Sequence, residues 1–245
     1  QEVSEFYSVK DGIPSTDIRA LAFDNAGKLY AATAEGLALY SDGKWSVQPS
    51  FAKKAIHLVA PIGDLGAGVI SEGALHAVSG EKARTLCELP AEIRDGSGPF
   101  ALCEHGGRIF LGSDKGLYEC GIQGATKCTP VESLNALLGD QKAILDLAVG
   151  PKGEIAVAAA NGLFQSDSDG KQWQQLFPAD QTRSWAPRDV RGVAFGPQGR
   201  LWFGSPQGAG VRDAQWTLFE GKDGLPYTDF TSAAASPDTS VWLGT

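Results

Sequence analysis

Apolar residues along this chain come in short runs bounded by Gly, Pro, Asp, Asn and Ser. Ala20-Leu-Ala-Phe23, Leu147-Ala-Val149 and Val193-Ala-Phe195 are continuous rather than alternating, the pattern of a strand covered on both faces. Nowhere does a 3.6-residue period persist, so the pattern predicts short strands joined by turns. Gly 31 and Pro 13 make 44 of 245 residues, and they recur from end to end, which fits many turns.

The runs repeat. Asp17 to Trp45 begins as strand, Gly turn, strand; Asp189 to Gly204 follows the same order, and weaker copies begin at Ala55, Phe100, Ala143 and Thr228. The second-turn glycine recurs at Gly36, Gly73, Gly116, Gly162 and Gly208, at spacings of 37, 43, 46 and 46 residues. A period near 43 is that of a four-stranded blade, and strands apolar on both faces are all covered only by stacking blades radially. The fold expected is therefore an all-β propeller in one domain, 1–245. Its blades fall at about 16–50, 55–90, 99–135, 143–178 and 189–221, with a partial sixth at 228–245.

Lys10 to Ile18 and Lys222 to Phe230 share six of nine residues and mark equivalent blade-to-blade connections. By that alignment Glu5 to Val9 is an outer strand that closes the ring. The sixth copy stops at its second strand, at Thr245, which suggests a longer native chain in a six- or seven-bladed ring; a six-bladed ring with a three-stranded closing blade is the alternative. The start at Gln1 and the absence of Met fit a removed leader.

Asp11-Gly-Ile-Pro-Ser15, Gly27-Lys-Leu-Tyr30, Gly36-Leu37, Asp223-Gly-Leu-Pro226, Gly199-Arg-Leu-Trp-Phe-Gly204 and Val241-Trp-Leu-Gly-Thr245 resemble the repeat of the two-component regulator propeller family. The first, fifth and sixth copies carry the likeness, over about half the chain. That resemblance implies a periplasmic or extracellular propeller that serves as the sensor part of a signalling protein and binds carbohydrate fragments or other small ligands. Ser166 to Trp173 is similar to the Asp-box turn of sialidase-type propellers, with Ser168 in place of its Asp, and reads as a hairpin.

Charge and cysteines narrow the partners. Lys+Arg 21 against Asp+Glu 29 gives a net charge of -8, the wrong sign for a phosphate backbone, so nucleic acid is not expected. No apolar run approaches the ~20 residues of a membrane span. Cys87, Cys103, Cys120 and Cys128 lack metal-knuckle spacing, and neither a metal nor a cofactor is expected. Cys120 and Cys128 flank a turn-rich segment that could close a disulfide in an oxidising compartment; four buried thiols are the other reading.

In propellers the connections into the inner strands and from second to third strands lie on one face around the channel mouth, where ligands usually bind. At the start of the inner strand the copies carry Arg19, His57, Pro99, Leu145, Arg191 and Thr231. Two guanidinium groups and an imidazole there suit a carboxylate, sulfate or sugar acid, unless each Arg simply pairs with Asp17 or Asp189 and ties blades together. The second-to-third strand turns add Glu35, Glu72, Asp114, Asn161 and Gln207. The irregular stretch Pro178 to Arg188 brings Arg183, Trp185 and Arg188, a combination suited to a sugar platform, although a Trp there can equally cap the core. A second irregular stretch carries Arg94 and Asp95.

Only His57, His76 and His105 are available as bases, no H-E-x-x-H or G-x-S-x-G occurs, and no catalytic residue can be nominated. The sequence thus points to a secreted or periplasmic binding module for a small polar ligand or glycan fragment. A protein-interaction platform, and a propeller lyase or hydrolase, are the alternatives.

Overall fold

Each repeat folds into its own antiparallel sheet, because its apolar runs are too short for anything but strands and its glycine turns reverse the chain between them. In the computed structural model, which describes residues 5–95, 98, 100–121, 127–178, 187–236 and 240–245, the first sheet is β1 (Ile18–Phe23), β2 (Leu29–Thr33), β3 (Gly36–Ser41) and β4 (Lys44–Val47). The second is β5 (Ile56–Pro61), β6 (Ala67–Ser71), β7 (Ala74–Ser79) and β8 (Lys82–Glu88). The third is β9 (Ala101–His105), β10 (Arg108–Ser113), β11 (Gly116–Gly121) and β12 (Cys128–Pro130). The fourth is β13 (Ile144–Val149), β14 (Ile155–Ala159), β15 (Gly162–Ser166) and β16 (Trp173–Leu176). The fifth is β17 (Gly192–Phe195), β18 (Leu201–Ser205), β19 (Gly208–Arg212) and β20 (Trp216–Phe219), and β21 (Ser232–Ala235) pairs with β22 (Val241–Gly244). Strands pair in chain order within every sheet, the blade topology of a β-propeller.

A buried hydroxyl shapes the second-to-third strand turn. Thr33 Oγ1 donates to the Gly36 carbonyl at 2.8 Å and accepts from the Glu35 N–H at 3.2 Å. Ser113 and Ser205 repeat both bonds with Gly116 and Lys115, and with Gly208 and Gln207. At Gly208, φ is +146° and a Cβ would stand 2.3 Å from the Phe219 carbonyl oxygen, so only glycine fits.

Facing sheets bury their apolar runs against one another. The chain divides into two compact units, Gln1–Ser97 with Gly107–Ile109 and Cys120–Cys128, and Gly98–Gly106 with Phe110–Glu119 and Thr129–Thr245, where the repeat alone predicts one domain. In the first unit, Tyr30, Leu37, Phe51, Ile56, Val69 and Val78 form a core between the first two sheets. In the second, Phe110, Ile144, Val157 and Phe164 form one core, and Ala158, Leu163, Val193 and Phe203 another. Leu21 and Phe23 on β1 depart from the pattern: they are 62% and 61% exposed, so this inner strand is covered on one face only.

Two local expectations are corrected. Residues 5–8 form no strand; Val9–Asp11 is a 3-10 turn, because Asp11 accepts the Ser8 N–H at 2.7 Å and closes the chain on itself instead of onto a ladder. Gly221–Asp223 repeats this turn, with Asp223 accepting from the Glu220 N–H at 2.9 Å, so the matching sequences do form matching connections. A helix, α1 (Glu132–Leu138), also interrupts the all-strand pattern. Its buried Leu134 and Leu138 stand four apart, but seven residues are too few for a visible period. The Ser166 to Trp173 segment is the β15–β16 hairpin.

Candidate inner-strand ligand site

Three inner strands begin with the same irregularity. In β1, β5 and β13 the pairing skips Arg19, His57 and Leu145, leaving each as the extra residue of a bulge. A bulge re-aims a side chain, here away from the ladder. At the equivalent preceding position Ile56, Ile144, Val190 and Phe230 are buried, whereas Ile18 before Arg19 is exposed. Phe230 fits because its neighbour is Gly204, where a Cβ would lie 2.9 Å from the Phe230 Cβ. With Phe230 buried, Asp229 and Thr231 on either side face outward.

In the second unit, Arg191 is fully engaged. Its Nη2 reaches Asp189 Oδ2 at 2.9 Å, its Nε reaches Asp189 Oδ1 at 3.4 Å, and its Nη1 reaches Asp229 Oδ1 at 2.7 Å. One guanidinium between two carboxylates leaves this group net negative, which is poor for the anionic ligand that the sequence suggests and good for hydroxyl donors. Asp229 also lines an open cleft of about 550 Å³, with Leu225, Pro226, Tyr227, Thr228 and Thr231. Tyr227 is 64% exposed there.

In the first unit, the same Asp-x-Arg pattern is looser. Arg19 Nη2 lies 3.5 Å from Asp17 Oδ2, and its Nη1 lies 3.5 Å from the Ile56 carbonyl. Ala55 occupies the place that Asp229 fills in the later pair, so the guanidinium turns to a backbone oxygen. His57 is half-buried beside it; burial, and then the Arg19 charge, hold its imidazole below the usual range and neutral at pH 7.

The turn residues have mostly local partners. Glu72 pairs with Lys54 at 2.8 Å, and Asp114 with Lys115 at 2.6 Å. Asn161 donates to the Leu138 carbonyl of α1 at 3.0 Å, tying a turn to the helix. Glu35 and Gln207 are exposed on their turns. Arg94 donates through Nε and Nη2 to the Leu89 carbonyl. Arg188 is exposed just before Asp189, while Arg183 and Trp185 lie outside the described residues, as does Pro99.

The histidines are dispersed over different strands. His76 touches the Ser71 carbonyl and Thr85, and His105 Nε2 lies 2.8 Å from the Ser168 carbonyl. Cys120 and Cys128 form a disulfide, while Cys87 and Cys103 are buried thiols. The sulfurs of Cys87, Cys120 and Cys128 are close enough to share an ion, but two of them are bonded to each other.

Sequence reasoning missed Asp146. Its carboxylate accepts from the Leu147 and Val193 N–H groups, both at 2.9 Å, and links β13 to β17. Although the residue as a whole is half-buried, desolvation of its enclosed carboxylate outweighs both bonds and pushes it up to about 7. An acid between Leu145 and Leu147 was the available signal. Tyr227 and Asp229 were also passed over, although the nine-residue match contains both positions.

No protein-family model matches the chain, and no curated protein matches it in sequence. Solved structures do share its fold. The extracellular domain of a two-component system protein, BT3049 of B. thetaiotaomicron, is 12% identical with a TM-score of 0.72, over 94% of this chain and 32% of that one. Streptogramin B lyase is 14% identical with a TM-score of 0.68, over 95% and 77%. PorZ, a surface component of the type-IX secretion system of Porphyromonas gingivalis, is 14% identical with a TM-score of 0.68, over 93% and 37%. The chain thus spans about a third of the length of the BT3049 chain. The propeller is shared across an ectodomain, an enzyme and a secretion component.

Proposed function

We propose that this propeller is a binding module, periplasmic or extracellular, that takes a hydroxyl-rich ligand such as a glycan fragment in the cleft between Tyr227 and Thr231. The carrying observation is Asp229, an acceptor fixed by Arg191 at 2.7 Å on the wall of a cleft lined by Tyr227, Thr228 and Thr231. A pre-oriented carboxylate and two hydroxyls match vicinal sugar hydroxyls, and the exposed tyrosine ring offers the apolar platform a pyranose face needs. The disulfide supports an oxidising compartment. The likeness to the extracellular domain of a two-component system protein supports a sensory role.

A glycan array with the intact chain tests this reading, with Tyr227→Ala and Arg19→Ala in parallel. Binding that survives Arg19→Ala and disappears with Tyr227→Ala is the expected result; equal binding by Tyr227→Ala contradicts it. A protein partner is the second reading, favoured by the exposed Leu21 and Phe23 side chains.

A further inference from the structure

Three sulfurs meet in the first unit. Cys87 at the end of β8 is 3% exposed, and its Sγ lies 3.4 Å from Cys128 Sγ, itself bonded to Cys120. All three sulfurs lie within 4.8 Å of one another. The pairing of β7 with β8 skips Leu86, a bulge immediately before Cys87, and a bridge between Glu88 and Lys127 holds β8 alongside the chain entering β12. A reduced thiol is therefore held in van der Waals contact with a disulfide.

We propose that Cys87, Cys120 and Cys128 form a thiol–disulfide exchange site, in which the bond moves between Cys120–Cys128 and Cys87–Cys128. Cys87 loses its proton, and the thiolate pair attacks Cys128 Sγ. The Cys120–Cys128 bond breaks with its electron pair on Cys120 Sγ, which takes up a proton. One S–S bond forms as one breaks, so no oxidant or reductant is consumed. The consequence is mechanical. A bridge inside the β11–β12 hairpin, closing 8 residues, becomes one that staples β8 to β12 and closes 41. The longer closure restrains the unfolded chain more.

Burial, and then the neighbouring Glu88, push the Cys87 thiol up to about 11. Along the chain, Glu88 follows Cys87, Glu119 precedes Cys120 and Lys127 precedes Cys128. Exchange is accordingly slow near neutrality, and its rate rises about tenfold per pH unit until the thiol ionises. Cys103 is the internal control, a buried thiol outside the cluster.

The full chain, incubated at pH 8.5 without added thiol, quenched in acid, unfolded and alkylated at low pH, is mapped by peptide mass spectrometry. The expected map shows Cys120 alkylation growing while Cys87 alkylation falls by the same amount, with Cys103 fully alkylated throughout. A Cys120→Ser chain produced under oxidising conditions is expected to carry a Cys87–Cys128 bond. The proposal is overturned if Cys120 stays unalkylated in the wild type, or if the Cys120→Ser chain folds by circular dichroism with Cys87 and Cys128 both free. Should that variant not fold, the wild-type map alone decides.

Discussion

Arg191 holds Asp229 at 2.7 Å while gripping Asp189 through two nitrogens, whereas Arg19 meets Asp17 only at 3.5 Å and finds a carbonyl where the second acid would be. One repeat unit has thus been used twice with different charge.

Replacing Ala55 with Asp supplies the missing acid. The pair formed with Arg19 is solvent-exposed, so the gain in stability is small, about 0.5 kcal/mol. Chemical denaturation of A55D and of A55D combined with Arg19→Ala checks this: the double variant is expected to lose the gain.

Tyr30 is fully buried and its hydroxyl does two jobs, donating to Asp24 at 3.2 Å and accepting the Gly80 N–H at 2.9 Å. Tyr30→Phe keeps the packing and strands a buried N–H and a carboxylate oxygen. A loss of about 1–3 kcal/mol in unfolding free energy is expected.

Asp146 makes stability depend on pH. Its carboxyl is pushed from 3.8 up to about 7, so between those values the folded chain keeps a proton that the unfolded chain releases. The group's contribution therefore falls as pH rises from about 4 to 7, by up to about 4 kcal/mol, and is flat above. Asp146→Asn removes that slope but gives up an acceptor for one N–H. Unfolding free energies at pH 4 and pH 7.5 are expected to favour the wild type at the lower value and to converge or cross at the higher.

Gly192 sits where two inner strands touch: a Cβ there would stand 2.5 Å from Ser232 C and Ala233 N, both backbone atoms that cannot turn aside. Gly192→Ala is expected to force β17 from β21 and cost about 1–3 kcal/mol, read as a lower denaturation midpoint.

The repeat made most of the fold legible, because a strand–glycine–strand period leaves few architectures and the Thr33, Ser113 and Ser205 turns recur in the letters themselves. The helix Glu132–Leu138 and the turn at Val9 were hidden, since each rests on a few local bonds rather than on a period. At the site, the position of Arg19 and Arg191 at the inner-strand starts could be read from alignment. The acids around them could not: whether Asp229 or Ala55 stands opposite each guanidinium is a relation between successive blades. Cys120 and Cys128 were readable as a pair across a hairpin, but the approach of Cys87 from another sheet, 41 residues away, was not.

Diffraction from crystals of the chain soaked with the strongest glycan of the array shows whether ligand binds in the Tyr227–Thr231 cleft. Density for a sugar ring against Tyr227, with hydroxyls on Asp229, is the result predicted here; density only at Arg19 and His57, or only on another surface, would contradict it.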